Sequence, residues 1–206
     1  MHITFGRKSR LTALGAGLIT AAAVAVSASG PALADTADTG GTGAISVPTA
    51  VVVGLANANV AMLPGSPASS SFDATAGADT VTIPVTGGNG EVSNFFGDVD
   101  YGGNLVFINA KAGKTVTITS IQLNLFTGAI TGVLPGNTSH TALGYLNGTM
   151  ETSSDPGPPA TETLTSDQVN LSGKAAKALN TSLATTVFKR GTIIGTFTTT
   201  FYVTVS

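Results

Sequence analysis

Cysteine and tryptophan are both absent from this sequence of 206 residues, and only 10% of its residues are charged. Without cysteine the chain can form no disulfide bond and has no thiol that could carry a lipoprotein anchor. Its stability must therefore come from buried apolar side chains and backbone hydrogen bonds, which a chain of this length can supply. The lack of tryptophan, together with only three tyrosines, counts against recognition of sugars by aromatic stacking.

Clusters of positive charge are also missing. After position 34 the chain has six basic residues in scattered pairs against eleven acidic residues, which gives a net charge of −5. Binding to nucleic acid or to an anionic membrane surface requires clustered positive charge. The sequence therefore predicts no nucleic-acid partner and leaves a cell-surface or extracellular partner of unknown identity.

The first 34 residues have the pattern of a secretory signal peptide. Arg7, Lys8 and Arg10 precede an uncharged apolar stretch over residues 11–26, and the small residues of Ala32-Leu33-Ala34 follow it. This pattern predicts a signal peptide over 1–34, cleavage following Ala34, and a secreted, extracellular protein.

The part of the chain after the leader is predicted to be a flexible segment, 35–44, followed by one β-sandwich domain, 45–206. Small polar residues dominate the first segment and cannot bury apolar surface. The apolar stretch 45–63 is interrupted by Pro48 and Gly54, whereas a spanning helix needs about 20 mostly apolar residues. We interpret this stretch as a buried pair of strands, with a membrane segment as the alternative, and expect no membrane span in the mature chain.

Alternation of apolar residues with threonine predicts β-strands over most of the domain. It is clearest from Thr80 onward, and the C-terminal segment 197–205 alternates without fault, which predicts a long strand there. Between 116 and 125 the apolar positions change from even to odd numbers, which predicts a β-bulge around Thr119 and Ser120. The pattern indicates an all-β protein, either an antiparallel sandwich or a Greek-key barrel.

One short helix is predicted near residues 173–184. Ser172 is a suitable N-cap, and Ala175 and Leu179 begin a narrow apolar stripe. We expect this helix to cover one open end of the β structure.

Catalytic and cofactor chemistry has few candidate residues. His140 is the single histidine after the leader, and the Gly-x-Ser-x-Gly motif of many serine hydrolases is absent, so the chain is interpreted as non-enzymatic. One histidine and no cysteine are too few ligands for a typical zinc site. A haem iron needs only one axial ligand, which His140, Tyr101, Tyr145 or Tyr202 could supply. The residues by themselves nominate no cofactor.

Asp98 and Asp100 are the candidate metal ligands. Carboxylates two residues apart on a strand point to the same face and could share a hard cation. Calcium prefers about six to eight oxygen ligands, however, and few other acids lie nearby in the sequence. The alternative interpretation is a solvated strand end before a glycine turn.

Two segments carry a resemblance to a known family. Gly103-Asn104-Leu105-Val106-Phe107 and the following run KTVTITSIQLNLFTGAITG resemble the second half of HtaA-type haem-uptake domains of exported actinobacterial proteins. The run 171–180, with Phe188 and Gly191 after it, is similar to segments of secreted actinobacterial β proteins. The resemblance implies a β fold and a haem-binding role. The Trp- and Tyr-bearing opening segment of that family has no counterpart in this sequence, so no haem-ligating position carries over.

These observations predict an exported, non-enzymatic structural, adhesive or binding module of the cell envelope or extracellular space. The alternative function is a haem or small-ligand binding protein of the HtaA-like type.

Overall fold

The computed structural model describes residues 35–205, which form eleven β-strands and two short helices. The predicted signal peptide and its cleavage site lie outside the described residues. The strands are β1 (Asp35–Pro48), β2 (Val60–Gly65), β3 (Ser69–Asp73), β4 (Ala78–Gly88), β5 (Asp98–Tyr101), β6 (Asn104–Asn109), β7 (Lys114–Asn124), β8 (Ala129–Val133), β9 (Thr141–Asp155), β10 (Ala160–Leu171) and β11 (Ile193–Val205). The helices are α1 (Thr49–Asn57) and α2 (Gly173–Leu183).

Eight of the strands close into an antiparallel barrel. Their order around the ring is β1, β4, β5, β7, β8, β9, β10 and β11, and the pairing of β11 with β1 completes it. Outside the ring, β6 pairs with the first half of β7, β2 pairs with β6, and β3 pairs with β4. The predicted all-β antiparallel class is confirmed, and the closed ring selects the barrel over the sandwich.

Strand β7 bends in its middle and thereby pairs with different strands along its length. Its first half pairs with β6 and its second half with β5. At the bend Ser120 adopts a left-handed φ of 51°, and the register with β8 shifts between Thr119 and Gln122. Ile118 and Ile121 are consequently both buried. The bulge predicted from the change of apolar phase is confirmed.

Strand β11 is the long C-terminal strand that the alternation predicted. It pairs with β1 on one side and with β10 on the other. Phe197, Thr199, Phe201 and Val203 are buried on its inner face. Alternate residues of this strand therefore contribute to the core of the barrel.

The segment 35–44 belongs to β1, so the prediction of a flexible segment is wrong. Its backbone pairs with β11, irregularly as far as Gly41 and then in regular register. Asp38 is buried, and its Oδ2 accepts a hydrogen bond from the backbone N–H of Gly90 at 3.1 Å. Backbone pairing and one buried carboxylate order this stretch without apolar side chains, which is why its composition was misleading.

The apolar stretch 45–63 is not a pair of adjacent strands. It contains the end of β1, all of α1 and the beginning of β2. The three consecutive valines of α1 favour strand by propensity, but the chain forms two helical turns here. Helix α1 therefore adds a second helix to the one predicted.

Helix α2 is the predicted helix, and its cap is the predicted one. The Ser172 side chain accepts a hydrogen bond from the N–H of Ala175 at 3.0 Å. The helix is followed by its C-cap residue, Ala184, which has a left-handed φ of 51°. Four of its side chains are buried against the barrel: Ala175, Ala176, Leu179 and Leu183.

Candidate functional site

An apolar cavity of about 260 Å³ lies between the barrel interior and the two helices. Strands on several sides of the barrel form its inner wall, and α1 and α2 form the rest. Representative lining residues are Ile45, Val51, Leu55, Ile118, Ile130 and Leu179.

The lining of the cavity has almost no polar chemistry. No lining residue is charged, Thr192 is the single lining residue with a hydroxyl group, and Met62 is the single one with a sulfur. Such a surface binds apolar groups by excluding water from them and offers almost no hydrogen bond. The cavity is therefore suited to an aliphatic or aromatic hydrocarbon group.

Helix α1 forms the outer wall of the cavity, and it is apolar without being buried. None of its nine residues is buried, and none is charged. Val51 and Leu55 line the cavity, whereas Val53 is 49% exposed. Gly54 also lines the cavity, and a Cβ atom at this position would meet nothing within 4 Å. The wall that α1 provides is therefore loosely packed.

Contacts at its two ends hold α1 in place. At the start, the backbone N–H and the Oγ1 hydroxyl of Thr49 both donate to the carbonyl of Gly77, at 3.0 and 2.6 Å. No side chain caps this end. At the other end, Asn59 adopts a left-handed φ of 60°, and its carbonyl accepts from the N–H of Ala110 at 3.0 Å. These contacts fix where α1 begins and ends rather than how tightly it packs.

Phe188 lines the cavity, and Asn180 of α2 holds its backbone in place. The Asn180 Nδ2 donates to the carbonyl of Phe188 at 2.8 Å, and its Oδ1 accepts from the Phe188 N–H at 3.1 Å. The ring of Phe188 meets the ring of Phe107 edge to face, with centroids 5.7 Å apart. Both rings line the cavity, so this side of the cavity is defined by a ring contact and two hydrogen bonds to the Phe188 backbone.

Tyr101, one of the candidate iron ligands, is buried within the barrel and does not line the cavity. Its hydroxyl donates to Thr199 Oγ1 at 2.8 Å, and its ring packs edge to face on Phe197. Burial, supported by the negative charge of Asp38, raises the pKa of the Tyr101 phenol far above its usual range. Iron is ligated by the phenolate, so a phenol that is held protonated is a poor ligand.

The other three candidate ligands lie on the surface and away from the cavity lining. Tyr145 on β9 and Tyr202 on β11 are 45% and 40% exposed. His140 is exposed, and its Nε2 lies 2.9 Å from the carbonyl oxygen of Ser120. The fold therefore does not bring the four candidates together at the cavity.

The haem group that the family resemblance implies can be tested against the cavity lining. An iron held by His or Tyr needs an imidazole or a phenolate, and the haem carboxylates need cations or hydrogen-bond donors. The lining contains none of these side chains apart from the hydroxyl of Thr192, and its only soft donor is the thioether of Met62. The residues of the cavity do not fit haem.

Asp98 and Asp100 lie on β5 and are half-buried. Each accepts a hydrogen bond from the side-chain amide of the residue opposite it on β7. Asn124 Nδ2 donates to Asp98 Oδ1, and Gln122 Nε2 donates to Asp100 Oδ1, both at 2.9 Å. No group of three or more His, Cys, Asp or Glu residues that could hold a metal lies among the described residues. A cation at Asp98 and Asp100 stays a prediction.

Sequence reasoning missed the cavity and the helix that walls it. The available signal was the stretch 45–63 itself, which is apolar but does not alternate as a half-buried strand would. Within residues 35–205, neither helix is long and apolar enough to cross a membrane.

Comparisons with known proteins agree with this architecture. No protein-family model matches the sequence, and no curated protein matches it. Among solved structures, the chain is similar to the C-terminal domain of HtaA from Corynebacterium glutamicum, with a TM-score of 0.57 and 15% sequence identity over 82% of this chain and 99% of that one. At this level of identity the similarity is one of fold, and at that level it confirms the resemblance to HtaA-type domains.

Proposed function

We propose that this chain is a non-enzymatic binding module of the cell envelope or extracellular space, and that it holds a small apolar ligand in the cavity behind α1. The observation that carries the proposal is the cavity itself, which is large for a domain interior and lined almost entirely by hydrocarbon.

The size of the cavity favours a ligand over a packing defect. Protein interiors contain few voids larger than a water molecule, and an engineered apolar cavity of about 150 Å³ already binds benzene. The present cavity, at about 260 Å³, exceeds that volume and can hold a ligand at least as large as benzene. An occupant that fills the space would gain van der Waals contacts with side chains that have no neighbour on that side.

The chemistry of the lining limits the class of ligand. Nothing inside the cavity can neutralise a charge, and Thr192 provides the only side-chain hydroxyl. A buried charge or an unpaired polar group is costly. The occupant is therefore a hydrocarbon group, such as a short aliphatic chain or a small ring system, and any polar end of the same molecule remains at the solvent side.

The experiment is a fluorescence titration of the chain that begins at Asp35 with N-phenyl-1-naphthylamine, a neutral apolar dye that brightens on leaving water. We expect a saturable increase that 1-decanol reverses by competition. The Val51→Gln variant places an amide against the cavity lining, which costs about 1–3 kcal/mol when it stays unpaired, so its dye affinity should fall about tenfold or more.

Val53→Gln is the matched control for this variant. It introduces the same amide on the same helix, at a residue that does not line the cavity, and the dye affinity should not change. Equal affinities of both variants and the parent chain would contradict the proposal.

Haem carriage is the second candidate function, and the fold likeness to an HtaA domain favours it. Titration with haemin separates the two candidates. A haem carrier develops a Soret band that disappears in Tyr145→Phe, Tyr202→Phe or His140→Ala. A carrier of apolar ligands binds the dye and leaves the haemin spectrum as it is in buffer.

A further inference from the structure

A second, polar cleft of about 610 Å³ lies outside the barrel wall, at the start of α2. Its walls come from the adjoining ends of β9 and β10, from the first residues of α2 and from the turn before β11. Leu171 is the single described residue that lines both this cleft and the apolar cavity, and its backbone is hydrogen-bonded to Thr192 and Gly191, at 2.9 and 2.8 Å. The two concavities are therefore separate sites.

Two cations face this cleft. Lys174 and Arg190 both line it and are both exposed. The Arg190 side chain lies over Gly173, where an added Cβ would be 3.2 Å from the Arg190 Cδ. Neither cation has an ion-pair partner among the described residues. In a part of the chain with net negative charge, the fold thus concentrates positive charge at one concave place, which favours an anion.

An amide without a partner lies in the same cleft. The Oδ1 of Asn170 is buried and has no hydrogen-bond partner among the described residues. Asn170 lies in register between Tyr145 of β9 and Ile193 of β11, so the three side chains form one row on the outer face of the barrel. A buried acceptor without a donor is unfavourable. Asn170 itself lines the cleft, so rotation of its side-chain amide would bring Oδ1 to the cleft surface, where a ligand hydroxyl group is a suitable donor.

We propose that this cleft binds a small hydroxylated carboxylate, of which a sugar acid is one example. Lys174 and Arg190 hold the carboxylate by charge-assisted hydrogen bonds. The Asn170 amide rotates to accept from a ligand hydroxyl through Oδ1, and the exposed ring of Tyr145 covers an apolar face of the ligand. This site goes beyond the proposed function, because it is polar and lies on the other side of the barrel wall.

The test is NMR titration of the chain that begins at Asp35 with three ligands. D-glucuronate has both the carboxylate and the hydroxyls, D-glucose lacks the charge, and propanoate lacks the hydroxyls. We expect D-glucuronate to shift the amide signals of residues 170–174 and 190, and to bind about tenfold more tightly than either of the other two. Added salt should weaken its binding.

Variants identify the groups responsible. Arg190→Gln and Lys174→Gln should each lower the affinity for D-glucuronate about tenfold. Lys189→Gln is the matched control, since Lys189 is the neighbouring cation and does not line the cleft, and it should bind as the parent does. Asn170→Ala should reduce D-glucuronate binding toward that of propanoate.

Three results would overturn this assignment. They are absence of D-glucuronate binding, equal binding of D-glucose, and equal losses in Lys189→Gln and Arg190→Gln. The dispersion of the amide signals without ligand shows that each variant is folded. This control does not depend on the cavity, so failure of this site stays distinct from failure of the cavity proposal.

Discussion

The two helices that line the cavity are built in opposite ways. Helix α2 is capped by Ser172 and buries four side chains, whereas α1 has no side-chain cap and buries none. Yet α1 is the more apolar of the two, since it contains no charged residue and α2 contains two lysines. Composition alone would assign α1 to the core and α2 to the surface.

This contrast shows that the two helices have different roles: α2 contributes more to stability, and α1 forms the outer wall of the cavity. Helix α2 is part of the scaffold, and through Asn180 it also positions Phe188 at the cavity. Helix α1 covers the cavity from outside and keeps its apolar side chains only partly packed. An apolar ligand would supply the contacts that α1 lacks, and so would stabilise α1 more than α2.

The two helices should differ most in the free energy of unfolding that is lost when a leucine is truncated to alanine. Leu183 of α2 is fully buried, so Leu183→Ala should lower the free energy of unfolding by about 2–5 kcal/mol. Leu55→Ala, the same change in the partly exposed α1, should cost less than about 1.5 kcal/mol, because less surface is uncovered and the cavity already adjoins it. Urea denaturation measures both, and equal costs would remove the distinction.

The next effect concerns the cap of α2. Ser172→Ala removes the acceptor for the Ala175 N–H, and it also removes the hydroxyl that donates to the carbonyl of Ala142. The expected loss is about 1 kcal/mol, within the range of roughly 0.5–2 kcal/mol for lost N-caps. The melting temperature of Ser172→Thr, which keeps the hydroxyl, should stay near that of the parent. A loss as large in Ser172→Thr would show that the cap is not responsible.

The smallest effect should be a gain in α1. Gly54 lies in the middle of this helix, and a Cβ there enters open space. Gly54→Ala should therefore raise the free energy of unfolding by about 0.5–1 kcal/mol, because alanine favours helix over the unfolded chain. Gly195→Ala is the contrasting change, since its Cβ would lie 2.0 Å from the carbonyl oxygen of Ser46 and force β1 and β11 apart. If Gly54→Ala proved less stable than the parent, neighbouring side chains would have to pack against α1 at this position.

The parts of the fold that could be predicted from the sequence are those encoded by neighbouring residues. The cap at Ser172 and the stripe after it define α2, and the change of apolar phase at Thr119 and Ser120 defines the bend in β7. Closure of the ring could not be predicted in the same way, because it depends on pairing between residues far apart in the chain, such as Thr42 with Thr200.

The candidate site was even harder to predict from the sequence, because it is formed by tertiary structure. The valines of α1 have the propensity of a strand, and the chain forms a helix there between two strand ends that are already paired. The cavity is a space between side chains and has no sequence motif. The polar cleft brings Lys174 and Arg190 together. In the sequence they belong to two separate pairs of basic residues.

The pairing of β1 with β11 has a consequence for the order in which the molecule assembles. The first and last described strands are neighbours, so the ring cannot be completed until the C-terminal residues are free to join it. An emerging chain stays open along this seam, because β1 and β10 both await the same final partner. Closing so long a loop is entropically costly and slow. Removing the last strand should therefore abolish the cooperative unfolding transition rather than merely weaken it.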